Sequence, residues 1–283
     1  MFGCVFYADI LGFGELSDVS GAGPARSALL DTAQVVSDND DLSRYIQRDN
    51  WLCRYALSDS LFLVSDNAVD ACVAAAEIFF GLAFLNASHE DVILRQSVLL
   101  RGGISCGDFQ EVKPLFPETS KGNLVGEAVV SAVKLERSKP RGPRLFVSDE
   151  VASSLERTGG EGVAWIVDRL SEGPAELLWL LSPDPSEANG TMIGDVCDAA
   201  VRLFDWYGGN QDIGLHYAGY LDLVVRSLER LRDRNPDQAF FATRKAGFDR
   251  VGSSTKSDAV AGFFEKFNLG SRLEELAGLA GTK

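Results

Sequence analysis

The chain opens on an apolar run, residues 5–10 (VFYADI), that ends in a glycine-containing turn, LGFGE. A run this short, bounded by turn residues, predicts a β-strand. Residues 25–36 carry Ala, Leu and Val at helical spacing and close on Ser37-Asp38-Asn39-Asp40, which predicts a helix. Residues 51–56 and 61–65 are strand-like runs joined by Leu57-Ser58-Asp59-Ser60, the pattern of a hairpin with a carboxylate at its tip. Asp66-Asn67 then caps a long apolar helix through Leu85. Further strands are predicted at 99–106 (LLRGGISC) and 144–147, helices at 126–137 and 149–157, and late strands at 163–167 and 177–181.

The pattern changes after residue 182. A polar stretch with two prolines, SPDPSEANG, reads as a linker, and only helical spacing follows. Leu221, Val224, Val225, Leu228 and Leu231 form one helical stripe, and Phe263, Phe264 and Phe267 another. The expected organisation is an α/β (α+β) domain over 1–182, a linker over 183–190 and a helical region over 191–283. No internal repeat is visible.

Composition narrows the function classes. Hydrophobic residues make up 46% of 283, enough for a full core and too many for a disordered chain. The net charge of −14 predicts repulsion from nucleic acid and from anionic membranes, so any phosphate must be handled locally by metal ions or a few cations. Five cysteines stand at 4, 53, 72, 106 and 197 without a CxxC pair, and there are two histidines, His89 and His216. That argues against a zinc site and makes a reducing cytosol the natural setting. The N-terminus lacks a basic signal-peptide region. The longest apolar stretch, residues 71–85, is interrupted by Glu77 and falls short of the roughly 20 residues a membrane span needs. A soluble, cytoplasmic protein is expected.

Two carboxylates carry the candidate chemistry: Asp9, at the exit of the first strand, and Asp59, at the hairpin tip. If the first strand pairs beside the hairpin, both point to one end of the sheet. Such a pair is a natural seat for one or two Mg²⁺ or Mn²⁺ ions, which prefer oxygen ligands and share phosphate oxygens. The turn after Asp9, Ile10-Leu11-Gly12-Phe13-Gly14, exposes successive backbone N–H groups able to cradle a polyphosphate. Taken singly, Asp59 also fits an ordinary turn and Asp9 an ordinary strand cap. Ser58-Asp59-Ser60 lacks a nearby histidine or a nucleophile elbow. Residues 226–234 (RSLERLRDR) read as a salt-bridged helix face rather than a basic patch, and His216 beside Tyr217 as structural.

FYADILGFG resembles the metal-binding opening of class III nucleotidyl cyclases, and ALSDSLFLVS their second metal hairpin. LLRGGISCGDF is similar to their following central strand, and LVGEAVVSAVKLE to their catalytic helix. The four segments stand in family order. Within the class the resemblance points to the pyrimidine cyclases of bacterial anti-phage Pycsar systems. It implies a ferredoxin-like domain with a mainly antiparallel sheet and a head-to-tail homodimer. It also implies a two-metal site, Mn²⁺ or Mg²⁺, on Asp9, Asp59 and the Ile10 carbonyl, with the triphosphate on Leu11, Gly12 and Phe13. The implied reaction makes a 3′,5′-cyclic nucleotide and pyrophosphate.

The departures set the expected substrate. The two base-reading positions of purine cyclases fall on Tyr55 and Asn123. A Tyr shortens a pocket made for a two-ring base, and Asn offers a donor and an acceptor to a pyrimidine edge. The expectation is UTP to cyclic UMP, with CTP, a purine substrate and a non-catalytic nucleotide-binding protein as alternatives. The family's catalytic Asn falls on Val130, and its transition-state Arg on Lys134, which keeps the charge without the bidentate fork. Either the register of this helix is shifted, or Arg137, Arg141 and Arg144 are the candidates to supply what is missing.

Overall fold

The structure is a computed structural model that describes residues 1–11, 29–30, 32–35, 51–57, 59–90, 99–112, 123–158, 160–183 and 185–280. The predicted helix over 25–36 is seen only in part, as helical residues 29–30 and 32–35, and the rest of it lies outside the described residues, as do Gly12, Phe13 and Ser58.

Contacts divide the chain into two compact units. The first comprises Met1–Phe79, Leu100–Lys139 and Leu145–Trp179; the second comprises Phe80–Leu99, Pro140–Arg144 and Leu180–Lys283.

The first unit is built on a seven-stranded sheet of strand order β2-β3-β1-β4-β7-β9-β8. Its strands are β1 (Phe2–Ile10), β2 (Trp51–Leu57), β3 (Ser60–Ser65), β4 (Leu100–Asp108), β7 (Leu145–Val147), β8 (Val167–Asp168) and β9 (Ala175–Leu177). Every pairing is antiparallel except β4 with β7, so the α/β architecture with a mainly antiparallel sheet is as expected. A separate two-stranded ribbon joins β5 (Gln110–Val112) to β6 (Asn123–Val125); the hydrophobic pattern did not predict it, because its strands are three residues long.

The central strand β1 is buried on both faces by alternation. Val5 and Tyr7 pack under Ala128, Val129 and Ala132 of α2 (Glu127–Glu136), while Phe6 on the other face meets Phe79 of α1 (Ala68–Ala87). Helix α1 starts where Asn67 accepts the backbone N–H of Val69, as its capping sequence predicts. At 20 residues it is long and apolar enough to cross a membrane by length and composition, and just over half of it is buried inside the protein. Helix α2 sits close on β4 because Gly103 has no side chain: a Cβ there would strike the Ala132 carbonyl and come within 2.6 Å of the Leu135 Cβ.

Two strand predictions need correction. Residues 163–167 end helix α4 (Gly160–Ala164) and begin the two-residue β8, and of residues 177–181 only Leu177 is in a strand. Helix α3 (Asp149–Thr158) comes before them as predicted. Short apolar runs such as VAWIV fit a buried helix end as well as a strand, and periodicity alone does not separate the two.

Cys4 and Cys106 are register partners on β1 and β4 and are joined by a disulfide; Cys53, Cys72 and Cys197 are free. Cysteine spacing does not point to this pairing, since the two lie 102 residues apart. Such bonds are uncommon in a reducing cytosol.

The second unit holds the helical C-terminal region: α5 (Gly190–Tyr207), α6 (Gly214–Arg234), α7 (Pro236–Ala246), α8 (Asp249–Ser253), α9 (Asp258–Lys266) and α10 (Leu269–Ala280). The predicted stripe on α6 is its buried face. Beside it Asp222, almost fully buried, faces Arg144 at 3.0 Å, Arg226 at 3.0 Å and Arg272 at 3.4 Å. Despite burial, these three guanidinium groups hold the Asp222 carboxyl below the usual range. Arg232 meets Glu275 and Arg272 meets Glu229, so the charged run of α6 is salt-bridged, as read from its alternation.

Candidate active site at the end of strands β1 and β3

Two rows of register partners build the site. The first runs Leu57–Ser60–Asp9–Arg101 across β2, β3, β1 and β4; the second, two residues further back along β1, runs Tyr55–Phe62–Tyr7–Gly103. Residues directly opposite in antiparallel pairs share a face, and so do residues two apart on one strand. Asp9, Ser60 and Arg101 therefore stand on the face that Tyr7 shares, the face covered by α2.

Asp9 accepts the Ser60 hydroxyl at 2.9 Å. Ser60 has one hydroxyl hydrogen, so the Tyr7 phenol, 3.1 Å away, donates to Ser60. The turn that carries Asp59 is tied to the same strand end: the Ile10 N–H donates to the Asp59 carbonyl at 3.1 Å. The pairing Leu57↔Ser60 confirms the tight hairpin with Asp59 in its turn. Asp9 and Asp59, 50 residues apart in sequence, thus meet at one end of the sheet.

The electrostatics are those of neighbouring carboxylates. Burial raises the Asp9 carboxyl above its ordinary range, the Ser60 hydrogen bond opposes that rise, and the charge of Asp59 adds to it. Glu136, at the C-terminal end of α2, is raised by burial too, with Arg101 pulling the other way and Asp9 pushing further up. Burial also raises Tyr7, and the carboxylates of Asp9, Glu136 and Asp59 add to that. Glu136 is a member of this group that sequence reasoning missed: it closes the helix segment LVGEAVVSAVKLE, and only the fold reveals that its carboxyl feels the charge of Asp9.

These residues suit a hard divalent cation, which would relieve the repulsion between Asp9 and Asp59. Among the described residues no group of three or more His, Cys, Asp or Glu forms a metal cage. The remaining positions would fall to backbone carbonyls, water and substrate phosphates, as is usual for Mg²⁺.

The other predicted residues are distributed as follows. Tyr55 is buried, and its hydroxyl bonds the carboxylate of Glu111 on β5; burial and that bond raise its phenol far above the ordinary value. By strand spacing it lies two strands and one pleat from Asp9, about 10 Å across and 7 Å along the same sheet face. Asn123 pairs with Val112, next to Glu111 along β5, so Glu111 and Asn123 fall on opposite faces of the ribbon. Leu11 is partly exposed in the turn after β1. Val130 and Lys134 stand one turn apart on the exposed side of α2. Arg137 is exposed and acts on both Asp9 and Glu136, whereas Arg144 is fully buried on Asp222 and the Gly219 carbonyl. Arg141 and Arg144 belong to the second unit.

No protein-family model and no curated protein matches the chain. Among solved structures it is similar to the guanylyl cyclase domain of the RhoGC fusion protein from the aquatic fungus Blastocladiella emersonii. That match has 17% identity and a TM-score of 0.47 and covers 62% of this chain and 92% of that one. It is also similar to the adenylyl cyclase CyaB from P. aeruginosa, at 16% identity and a TM-score of 0.43, over 62% of this chain and 91% of that one. The guanylyl cyclase Cya2 matches at 14% identity and a TM-score of 0.45, over 62% and 90%. The chemistry of this chain's site rests on its own residues.

Proposed function

We propose that this protein is a metal-dependent nucleotidyl cyclase that converts a pyrimidine nucleoside triphosphate, UTP first and CTP second, to its 3′,5′-cyclic monophosphate. The observation that carries the reading is the meeting of Asp9 and Asp59 at one end of the β1–β3 pair, tied by the Ile10-to-Asp59 hydrogen bond. The resemblance of the four sequence segments to class III cyclases supports it, and the pyrimidine preference rests on Tyr55 and Asn123.

In this reading Asp9, Asp59 and the Ile10 carbonyl hold the cations. Ser60, itself held by Tyr7, fixes the rotamer of Asp9. When bound, two Mn²⁺ or Mg²⁺ ions supply charge neutralisation at the phosphates and a lower pKa for the ribose 3′-hydroxyl. The 3′ oxygen gives up its proton to solvent and attacks the α-phosphorus in line, the bond from that phosphorus to the oxygen bridging to the β-phosphate breaks, and pyrophosphate leaves. Leu11, Gly12 and Phe13 offer backbone N–H groups to the triphosphate, and Lys134 offers charge to the transition state. Tyr55 and Asn123 read the base. Residues 1–182 form the catalytic domain of a cytoplasmic homodimer. A role in bacterial anti-phage signalling accords with the pyrimidine reading.

The test is direct. The purified protein is incubated with Mn²⁺ and each of ATP, GTP, CTP and UTP, with Asp59→Asn as control, and the products are identified by mass spectrometry. Cyclic UMP or cyclic CMP, lost in the control, is expected; a cyclic purine product overturns the base assignment. A second reading, nucleotide binding without turnover, draws on the apolar Val130 at an exposed position of α2. It predicts calorimetric binding with no pyrophosphate release.

A further inference from the structure

Arg101 stands directly opposite Asp9 across the β1–β4 ladder, on the same face of the sheet. In antiparallel pairs such partners have Cβ atoms about 4.5–5.5 Å apart, well within reach of an arginine. A guanidinium there is the natural partner of Asp9, and a bidentate arginine–carboxylate pair would occupy the oxygens a cation needs. The structure sends the charge elsewhere. Arg101 meets Glu136 at 3.6 Å and donates to the Ser138 carbonyl just past the C-terminus of α2, while Asp9 takes its hydrogen bond from Ser60. Both side chains of the Arg101–Glu136 pair are nearly buried, at 9% and 13% exposure, so solvent screens the pair little. Gly103 lets α2 approach β4 closely enough for the pair to form.

We propose that Glu136 is a positioning residue: it anchors Arg101 to the end of α2 and thereby keeps Asp9 available to a divalent cation. This rests on the reading of Asp9 as a metal ligand. Glu136 itself need not touch the metal. Removing its charge releases the guanidinium toward Asp9, and removing the guanidinium as well takes the competitor away.

The experiment measures Mn²⁺ binding by calorimetry, without nucleotide, on the full chain and on four variants whose near-ultraviolet circular dichroism matches it. Glu136→Gln is expected to bind Mn²⁺ about 10-fold more weakly, the scale of an outer residue that orients a ligand. The double variant Arg101→Met with Glu136→Gln is expected to return to within about twofold of the parent, and Glu136→Asp to rescue in part. A merely structural Glu136 would leave the double variant as weak as the single one, and that result overturns the proposal. So does a Glu136→Gln protein with parental affinity. Asp9→Asn separates the two levels. If it abolishes binding while Glu136→Gln does not alter it, only the positioning role fails. If the parent binds no Mn²⁺, or Asp9→Asn binds like the parent, the metal reading falls and takes this inference with it.

Discussion

The Ser60 hydroxyl donates a 2.9 Å hydrogen bond to Oδ1 of Asp9, its partner across the β1–β3 ladder, and receives one from Tyr7 at 3.1 Å. The short relay orders the carboxylate before any ligand arrives. Ser60→Ala is therefore expected to weaken Mn²⁺ binding about 10-fold while leaving the fold unchanged, read by calorimetry beside circular dichroism. Tyr7→Phe, which removes only the outer link, should have a smaller effect.

Asp9 is a carboxylate the metal-free fold holds at a cost, since burial and the neighbouring Asp59 both disfavour its charge. Its folded pKa is raised, so the folded state binds more protons than the unfolded chain above the ordinary carboxylate range, and stability falls there as pH rises. Asp9→Asn removes that penalty. In the presence of a chelator at neutral pH it should melt at a higher temperature than the parent while losing all turnover. Scanning calorimetry and the product assay check the two halves separately.

Asp222 sets the opposite pH dependence in the second unit. Burial opposes its charge, but Arg226, Arg144 and Arg272 more than compensate, and its folded pKa is lowered. The stability it contributes is full above the unfolded value, near 3.8, and is lost as pH falls through the lower folded value. Breaking such a buried pair by removing one partner typically costs about 3–5 kcal/mol. Asp222→Asn is expected to lose that much in urea unfolding at pH 7 and to show less loss of stability on acidification than the parent.

Gly103→Ala tests the approach of α2 to β4. Its Cβ would strike the Ala132 carbonyl and crowd the Leu135 Cβ at 2.6 Å and the Glu136 N–H at 3.0 Å. Overpacking of this kind costs about 1–3 kcal/mol. Activity should fall further than stability, because the displaced segment carries Lys134 and Glu136.

Tyr55→Lys addresses substrate choice. If Tyr55 limits the base pocket, the variant should change the ratio of kcat/KM for pyrimidine over purine triphosphates by about 10-fold or more. An unchanged ratio in a competition assay removes Tyr55 from base reading and leaves it as the buried partner of Glu111.

Strand β1, the hairpin with Asp59 in its turn, the cap at Asn67 and the helix ending at Glu136 were legible because each rests on local chemistry: alternation, a two-residue turn, a side chain on a free N–H. The separation of 50 residues between Asp9 and Asp59 hid nothing, since two adjacent strand ends bring them together. What was not legible depends on register. Arg101 opposite Asp9, Cys4 opposite Cys106 and the ribbon of β5 with β6 follow from which residue faces which across a ladder, and a slip of one residue would reverse each face. Glu136 was passed over for the same reason: its importance lies in its neighbour.

The Cys4–Cys106 bond closes a ring of chain that contains Asp9, Tyr55, Asp59 and Arg101. In the chain-entropy view a ring of this size stabilises a fold by roughly 4–5 kcal/mol. It also changes what a single backbone cut does. Any one break between residues 4 and 106 leaves the two fragments tethered, so Asp9 and Asp59 stay on one covalent molecule even when they no longer share an unbroken backbone. Such a nicked protein migrates as one species until a reductant separates it into two.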